Sequence, residues 1–160
     1  MYKYKEENIL LYLMGILIIV LDQITKFAAV KYLKGKSPYV VIENFFQLCY
    51  VENTGAAFGI LQNKKLFFIV ITIFVIITIV LFLIKYSSSV TLLFRFGLIM
   101  LLGGAIGNFI DRIRLGYVVD FFSFKLGRNY NFPVFNVADI FVVLGTILIM
   151  GLILLDRYEN

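Results

Sequence analysis

Asp120 is the first residue of this sequence that suggests chemistry, because it is a carboxylate in an apolar, strand-like setting. Its neighbours are Val119, Phe121 and Phe122, so the carboxyl group needs a polar partner. If that partner is a second carboxyl group, desolvation and like-charge repulsion oppose ionising both, and the pair holds one proton. Such a pair can take a proton from water and give one to a carbonyl oxygen or a leaving amine. This is the chemistry of aspartic hydrolases.

The residue types that the sequence lacks exclude other chemistries. It contains no histidine, which excludes Ser-His-Asp and Cys-His nucleophile systems and every His-ligated metal site. The single cysteine, Cys49, cannot form an internal disulfide or a multi-Cys zinc site, and we expect it to be inert. The net charge of +5 comes from scattered basic residues, a pattern that does not indicate a nucleic-acid surface. Because proton exchange at a carboxyl pair needs no metal and no organic cofactor, we expect neither, and the scattered charge leads us to expect no nucleic-acid partner.

Most of the chain around the Asp120 segment consists of long apolar stretches. Hydrophobic residues make up 61% of the 160 residues and charged residues 16%, against about 45–50% and about 25% in a soluble domain. Four apolar stretches of 19 to 22 residues each are long enough to cross a bilayer. The sequence predicts an all-α membrane protein, one integral membrane domain over residues 1–160, with four transmembrane spans at 9–30, 66–84, 92–110 and 137–155.

The first apolar stretch could be mistaken for a secretory signal peptide. However, Glu6 and Glu7 precede it, and no small-x-small cleavage site follows. We expect a retained membrane helix.

The connections between the spans are unequal. Residues 31–65 and 111–136 form two long connections, and residues 85–91 form a short one. The long connections contain alternating segments at 39–42, 45–51, 117–124 and 131–135, which predict a small extracytoplasmic β-sheet with surface loops. Four spans place both long connections on one side of the membrane, and the unusual polar residues all fall on or near that side: Asp22, Gln23, Lys26, Asn53, Asn108, Asp111, Arg112, Asp120, Asn136 and Asp139. Their co-location predicts one shared polar site.

Structural interpretations remain open for the helix-end residues. Asp22 and Lys26 are spaced i, i+4 and could close the end of the first span, with Lys26 snorkelling to the interface. Asp111 and Arg112 could form an ion pair at the end of the third span.

The remaining motifs also have structural interpretations. The small residues Gly103 and Gly107 favour close helix packing. Asn136 followed by Asp139 resembles a helix N-cap with an acid at N3. The sequence at 53–55 could be only a turn.

Five motifs in order carry a resemblance to a known family. They are DQITK at 22–26, NTGAAF at 53–58, GGAIGNFIDR at 103–112, VVDF at 118–121 and FNVAD at 135–139. This set closely resembles signal peptidase II, the bacterial lipoprotein signal peptidase, with Phe58 where many members have Trp. The length and the four-span layout agree as well.

The resemblance implies an intramembrane aspartic endopeptidase that cuts prolipoproteins just before a diacylglyceryl-modified cysteine and is blocked by globomycin. The implied catalytic dyad is Asp120 and Asp139. Substrate-binding or site-positioning residues would be Asn53, Asn108, Arg112 and Asn136, with structural support from Asp22, Lys26, Asp111 and Gly104. The glycine faces of the spans would leave room for the lipid-modified substrate.

The resemblance also implies a location. The chain would lie in the bacterial cytoplasmic membrane as a monomer in contact with lipid, with cytoplasmic termini and the active site near the extracytoplasmic face. By raw count the long-loop side carries nine basic residues and the terminal side four, which favours the opposite orientation. Because the terminal side is much shorter, the number of basic residues per loop residue does not distinguish the two sides. We therefore adopt the orientation that the resemblance implies.

Two other functions compete with this interpretation. A small transporter or assembly factor could use the same carboxylates as a proton or ion relay, although its acids should then lie along the midplane. A Ser-Lys peptidase could use Ser123 and Lys26, although no spacing supports that pair.

Overall fold

Four long helices and a small antiparallel sheet form the computed structural model, which describes residues 2–55, 62–127 and 130–159. The helices are α1 (Tyr2–Leu33), α2 (Lys65–Tyr86), α3 (Leu92–Arg114) and α4 (Val137–Leu154). The strands are β1 (Tyr39–Ile42), β2 (Phe46–Asn53), β3 (Val118–Leu126) and β4 (Tyr130–Asn131). Within these ranges all four helices are long and apolar enough to cross a membrane. The predicted fold class is confirmed.

The predicted spans agree closely with the helices. The stretches at 9–30, 66–84 and 92–110 lie inside α1, α2 and α3, and the stretch at 137–155 ends one residue beyond α4. The Thr91 side chain caps the start of α3 by accepting a hydrogen bond from the Phe94 amide at 3.3 Å. At the other end, Gly116 has a φ of +88°, a conformation in which glycine avoids the steric cost of a Cβ atom and lets the chain turn into β3.

Helix α3 is the central helix of the bundle and packs against the other three helices. A Cβ atom on Gly103 would lie 3.0 Å from Ile18 of α1, and one on Gly104 would lie 2.8 Å from Val142 of α4. The glycines therefore permit close helix packing. The expectation that their faces leave room for a substrate is wrong at Gly103 and Gly104, because neighbouring helices fill that space.

The outward faces of the helices are apolar. Leu154 is 81% exposed, and Phe27 and Phe74 are each 69% exposed. In contrast, the buried set includes charged and polar side chains: Asp22, Lys26, Arg95, Asn108, Asp111, Asp120, Ser123 and Asn136. This arrangement suits a chain whose outer surface contacts hydrocarbon and whose polar groups satisfy one another inside.

The sheet has the order β1-β2-β3-β4 with antiparallel neighbours. The register of β2 on β3 pairs Val51 with Asp120 and Asn53 with Val118, so the end of β2 lies beside Asp120. The predicted segments at 39–42, 45–51 and 117–124 correspond to β1, β2 and β3. In the predicted segment at 131–135, Asn131 lies in β4 and Phe135 forms an isolated antiparallel bridge with Phe122 of β3. Pro133, which has no N–H for a ladder, lies between these two pairings.

Candidate active site

Asp139 is positioned by the first turn of α4. The Asn136 side chain accepts a hydrogen bond from the Asp139 amide at 3.0 Å, and Asp139 Oδ2 accepts one from the Asn136 amide at 3.1 Å. These reciprocal bonds form a capping box. The N-cap interpretation of this motif is therefore confirmed, and the same contacts leave Asp139 Oδ1 directed at α3.

Asp120 lies on β3 and is only 2% exposed. Its Oδ1 accepts a hydrogen bond from Asn136 Nδ2 at 2.6 Å, and its Oδ2 accepts one from Asn53 Nδ2 at 2.9 Å. Asn53 reaches it because β2 and β3 are neighbours in the sheet. Two amide groups thus hold the carboxyl group that the sequence placed in an apolar setting.

Burial is the main reason that the pKa of Asp120 is raised, from 3.8 to about 7. The charge on Asp139 raises this pKa further, while the hydrogen bonds from Asn53 and Asn136 oppose the shift. A carboxyl group with a pKa of about 7 carries a proton in about half of the molecules at neutral pH.

Asn108 on α3 connects the site to the bundle. Its Nδ2 donates to Asp139 Oδ1 at 2.7 Å, and its Oδ1 accepts from Asn136 Nδ2 at 3.1 Å and from Lys26 Nζ at 2.8 Å. Asn136 therefore uses its two amide hydrogens on Asp120 and Asn108, and Asn108 continues the network to Asp139.

Lys26 forms a buried ion cluster with two carboxylates. Its Nζ lies 2.9 Å from Asp22 Oδ2 and 3.1 Å from Asp111 Oδ2. The i, i+4 pair predicted within α1 is present, but Lys26 does not snorkel, because it is 3% exposed. Gln23 Nε2 joins the cluster by donating to Asp22 and Asp111, each at 3.2 Å.

Arg112 lies apart from Asp111, although the two residues are adjacent in sequence. Its guanidinium lies 5.0 Å from the ring centroid of Phe68 on α2, and its Nη2 donates to the Gly55 carbonyl at 3.4 Å. The predicted Asp111–Arg112 ion pair is wrong, because successive helical residues point about 100° apart and Asp111 faces Lys26 instead. Arg112 thereby fixes the 53–55 turn, which Asn53 Oδ1 closes by accepting from the Gly55 amide at 2.9 Å.

A cleft of about 440 Å³ gives access to both aspartates. Its polar wall includes Asn53, Asn108 and Arg112, and its apolar wall includes Phe132, Pro133, Val134, Val142, Val143 and Leu144. Val143 and Leu144 also belong to the exposed apolar surface of α4. The cleft therefore joins a polar centre to the face that meets lipid.

The Ser-Lys alternative has no support in the described residues. Ser123 accepts a hydrogen bond from Gln47 at 3.3 Å, while the three closest partners of Lys26 are Asp22, Asp111 and Asn108. Within 2–55, 62–127 and 130–159, no group of three or more acids or cysteines could hold a metal ion. Ala56, Ala57 and Phe58 of the NTGAAF motif lie outside the described residues.

Sequence reasoning missed two contributors to the site. The sequence does not indicate that Phe68 contacts Arg112, because an aromatic residue in an apolar helix is common. Pro133 and its neighbours form a wall of the cleft, although the sequence suggested only a strand there.

The spanning helices indicate a multi-pass membrane protein, and one cleft in it is lined by two aspartates, the buried Asp120 and the half-buried Asp139. Residues 14–155 match the family model described as signal peptidase (SPase) II, and the chain belongs to this family of peptidases. It is 56% identical to a lipoprotein signal peptidase of Caldanaerobacter subterraneus subsp. tengcongensis over 133 residues, 82% of this chain and 87% of that protein. It is 45% identical to one of Clostridium tetani over 143 residues, 89% of this chain and 91% of that protein.

Two solved structures described as bacterial membrane enzymes have a similar fold. One, determined by the in meso method at 2.3 Å resolution, gives a TM-score of 0.82 at 37% identity and covers 91% of this chain and 88% of its own. The other, determined at 1.9 Å, gives a TM-score of 0.77 at 36% identity and covers 90% of this chain and 92% of its own. The resemblance to signal peptidase II is thus confirmed.

Proposed function

We propose that this chain is an aspartic endopeptidase that cleaves prolipoproteins just before a diacylglyceryl-modified cysteine, with Asp120 and Asp139 as its catalytic dyad. Its relatives carry the name lipoprotein signal peptidase, which supports the substrate class. The observation that carries the proposal is a pair of carboxyl groups lining one cleft, each held by asparagine amides.

The proposed reaction uses one proton shared by the dyad. Asp139 takes a proton from a water molecule while the water oxygen adds to the scissile carbonyl carbon. Asp120, whose pKa is raised to about 7, gives its proton to the carbonyl oxygen, and a neutral gem-diol forms. One hydroxyl proton then returns to Asp120 as the carbonyl re-forms, Asp139 protonates the leaving nitrogen, and the C–N bond breaks. The dyad ends with one proton, as it began.

The surrounding asparagines suit this chemistry because they are polar without being charged. Asn53, Asn108 and Asn136 each donate to a dyad carboxylate, so they fix its orientation without adding a competing acid or base. Preorganised groups of this kind lower the cost of reaching the transition state.

The cleft walls support a lipid-modified substrate. The apolar wall on α4 continues onto the exposed face of that helix, so acyl chains could remain in hydrocarbon while the peptide reaches the dyad. We place the chain as a monomer in the bacterial cytoplasmic membrane, with cytoplasmic termini and an extracytoplasmic active site. Globomycin would act by occupying the same cleft.

A gel-shift assay tests the proposal. Purified protein in detergent is mixed with a diacylglyceryl-modified prolipoprotein, alongside the unmodified precursor, the Asp120→Asn and Asp139→Asn variants and a globomycin-treated sample. We expect cleavage of the modified substrate by the untreated wild type only. Turnover by either folded variant would refute the dyad, and no cleavage by folded wild type would favour the proton or ion relay.

A further inference from the structure

Three acceptors surround the Lys26 ammonium group: Asp22 Oδ2, Asp111 Oδ2 and Asn108 Oδ1. An ammonium group has three hydrogens to donate and cannot accept, so this geometry uses its whole capacity. Because the side chain is 3% exposed, water does not compete for these hydrogens. Lys26 therefore holds its neighbours in one arrangement.

The oxygen end of the Asn108 amide accepts from Lys26 Nζ at 2.8 Å and from Asn136 Nδ2 at 3.1 Å. These two contacts together determine that the NH₂ end faces Asp139. The two ends of an asparagine amide have nearly the same shape, so packing alone does not distinguish them. With Asn108 Oδ1 held by these two donors, Nδ2 is directed to Asp139 Oδ1 at 2.7 Å. The reversed amide would place its oxygen against a carboxylate oxygen and its NH₂ against the ammonium group, and both contacts are repulsive.

The two carboxylates around Lys26 also anchor the backbone beside each dyad residue. Asp22 Oδ1 accepts from the amide of Ala138, which precedes Asp139, at 2.9 Å. Asp111 Oδ2 accepts from the amide of Val119, which precedes Asp120, at 3.0 Å. One ammonium group thus joins the supports of both aspartates.

From this geometry we infer that Lys26 is a positioning residue for the peptidase reaction, acting on Asp139 chiefly through Asn108. The inference rests on the proposed dyad. Lys26 does not line the cleft, so its loss should leave substrate binding intact and impair the chemical step. A purely structural residue would change the amount of folded protein without separating kcat from KM.

The first test replaces the cation without leaving two buried carboxylates unpaired, which would endanger folding. In the double variant Asp22→Asn/Lys26→Met, an amide oxygen at position 22 can still accept from Ala138, and one negative and one positive charge are lost together. Against Asp22→Asn alone, we expect kcat to fall by about 10-fold to about 100-fold and KM to stay within about threefold. An unchanged kcat in the folded double variant would overturn the inference.

A second test measures whether the effect of Lys26→Met on kcat depends on Asn108. A purely structural role for Lys26 would not produce this dependence. If Lys26 acts through this amide, Lys26→Met should change kcat by less than about threefold when added to Asn108→Ala in the same Asp22→Asn background. If the fold-decreases in kcat of the two substitutions multiply fully in the combined variant, Lys26 acts independently of Asn108, and the inference is overturned.

Lys26→Arg keeps the positive charge and serves as a second variant. Its planar guanidinium cannot direct three hydrogens from one nitrogen toward the three acceptors, so we expect a folded protein with kcat lowered by at least about tenfold. Wild-type kcat would overturn the inference, as would failure of both this variant and the double variant to fold. Asp139→Asn in the same assay separates the two proposals: turnover there refutes the dyad, whereas an inactive Asp139→Asn beside fully active Lys26 variants refutes only the positioning role.

Discussion

At the scale of single residues, the site depends on groups that serve two purposes. Asp139 belongs to the capping box of α4 and lines the cleft, and Asn136 caps the same helix while it donates to Asp120. Folding and the proposed chemistry therefore share side chains, and a useful substitution must separate the two.

Asn136→Asp makes that separation. Aspartate is as good an N-cap as asparagine, so α4 should keep its start, but the donors to Asp120 and Asn108 are lost and a third carboxylate faces the dyad. We expect kcat to fall at least about 100-fold. Because position 136 is fully buried beside Asp120, the new carboxyl group should also lower thermal stability, increasingly so as the pH rises and it ionises. Asn136→Ala, which loses the cap but adds no charge, should cost ~1 kcal/mol of stability without that pH dependence. Thermal unfolding and turnover measured together check both, and an active Asn136→Asp protein would contradict the role of its amide.

The pH dependence of turnover follows from Asp120. Its raised pKa of about 7 means that the proton needed for the carbonyl oxygen is present below that pH and lost above it. We expect kcat/KM to decline above about pH 7, approaching tenfold per pH unit. Initial rates measured from about pH 6 to about pH 9 check this, provided that the protein stays folded across the range, and a flat profile would contradict Asp120 as the acid.

At the scale of elements, the approach of α3 to its neighbours decides whether the site assembles. A Cβ atom on Gly104 would overlap the carbonyl oxygen of Ala138, next to Asp139. We expect Gly104→Ala to destabilise the protein by about 1–3 kcal/mol and to lower turnover, because α4 must move.

Gly151→Ala is the matched control, since no atom of the described part of the chain lies within 4 Å of a Cβ atom there. We expect its unfolding free energy to be unchanged or to rise by up to about 1 kcal/mol, because alanine favours a helix over glycine. Thermal unfolding in detergent compares the two variants, and equal stability of both would contradict the packing role of Gly104.

The same elements show how far the sequence could lead. Apolar length predicted the four spans, and alternation predicted β1 to β3, because both patterns are local. The pairing of Lys26 with Asp22 followed from their i, i+4 spacing, but the contact of Lys26 with Asp111 was not predictable, since it depends on how closely α1 approaches α3. A lysine near a helix end normally snorkels, but here the close packing of α1 against Gly103 and Gly107 buries it between two carboxylates.

At the scale of the whole molecule, the sheet and both long connections lie at one end of the bundle, with the 87–91 turn at the other. Ser37 and Ser89 are exposed residues at these opposite ends. In a Cys49→Ser background, we expect Ser37→Cys to react from outside intact cells with a membrane-impermeant maleimide, whereas Ser89→Cys should react only after permeabilisation. The reverse labelling pattern would show that the long connections face the cytoplasm, as the raw count of basic residues suggests.

The apolar opening of the cleft changes how a substrate must arrive. Because Val143 and Leu144 belong both to the cleft and to the exposed apolar face of α4, a doubly acylated substrate, which stays in the membrane, meets the protein by lateral diffusion in two dimensions. The quantity that sets the rate is then the mole fraction of substrate in the lipid or detergent phase, and the concentration per litre has no direct meaning. At fixed amounts of protein and substrate below saturation, adding empty micelles should slow cleavage in proportion to the dilution of that phase. A rate indifferent to added detergent would instead indicate entry from water.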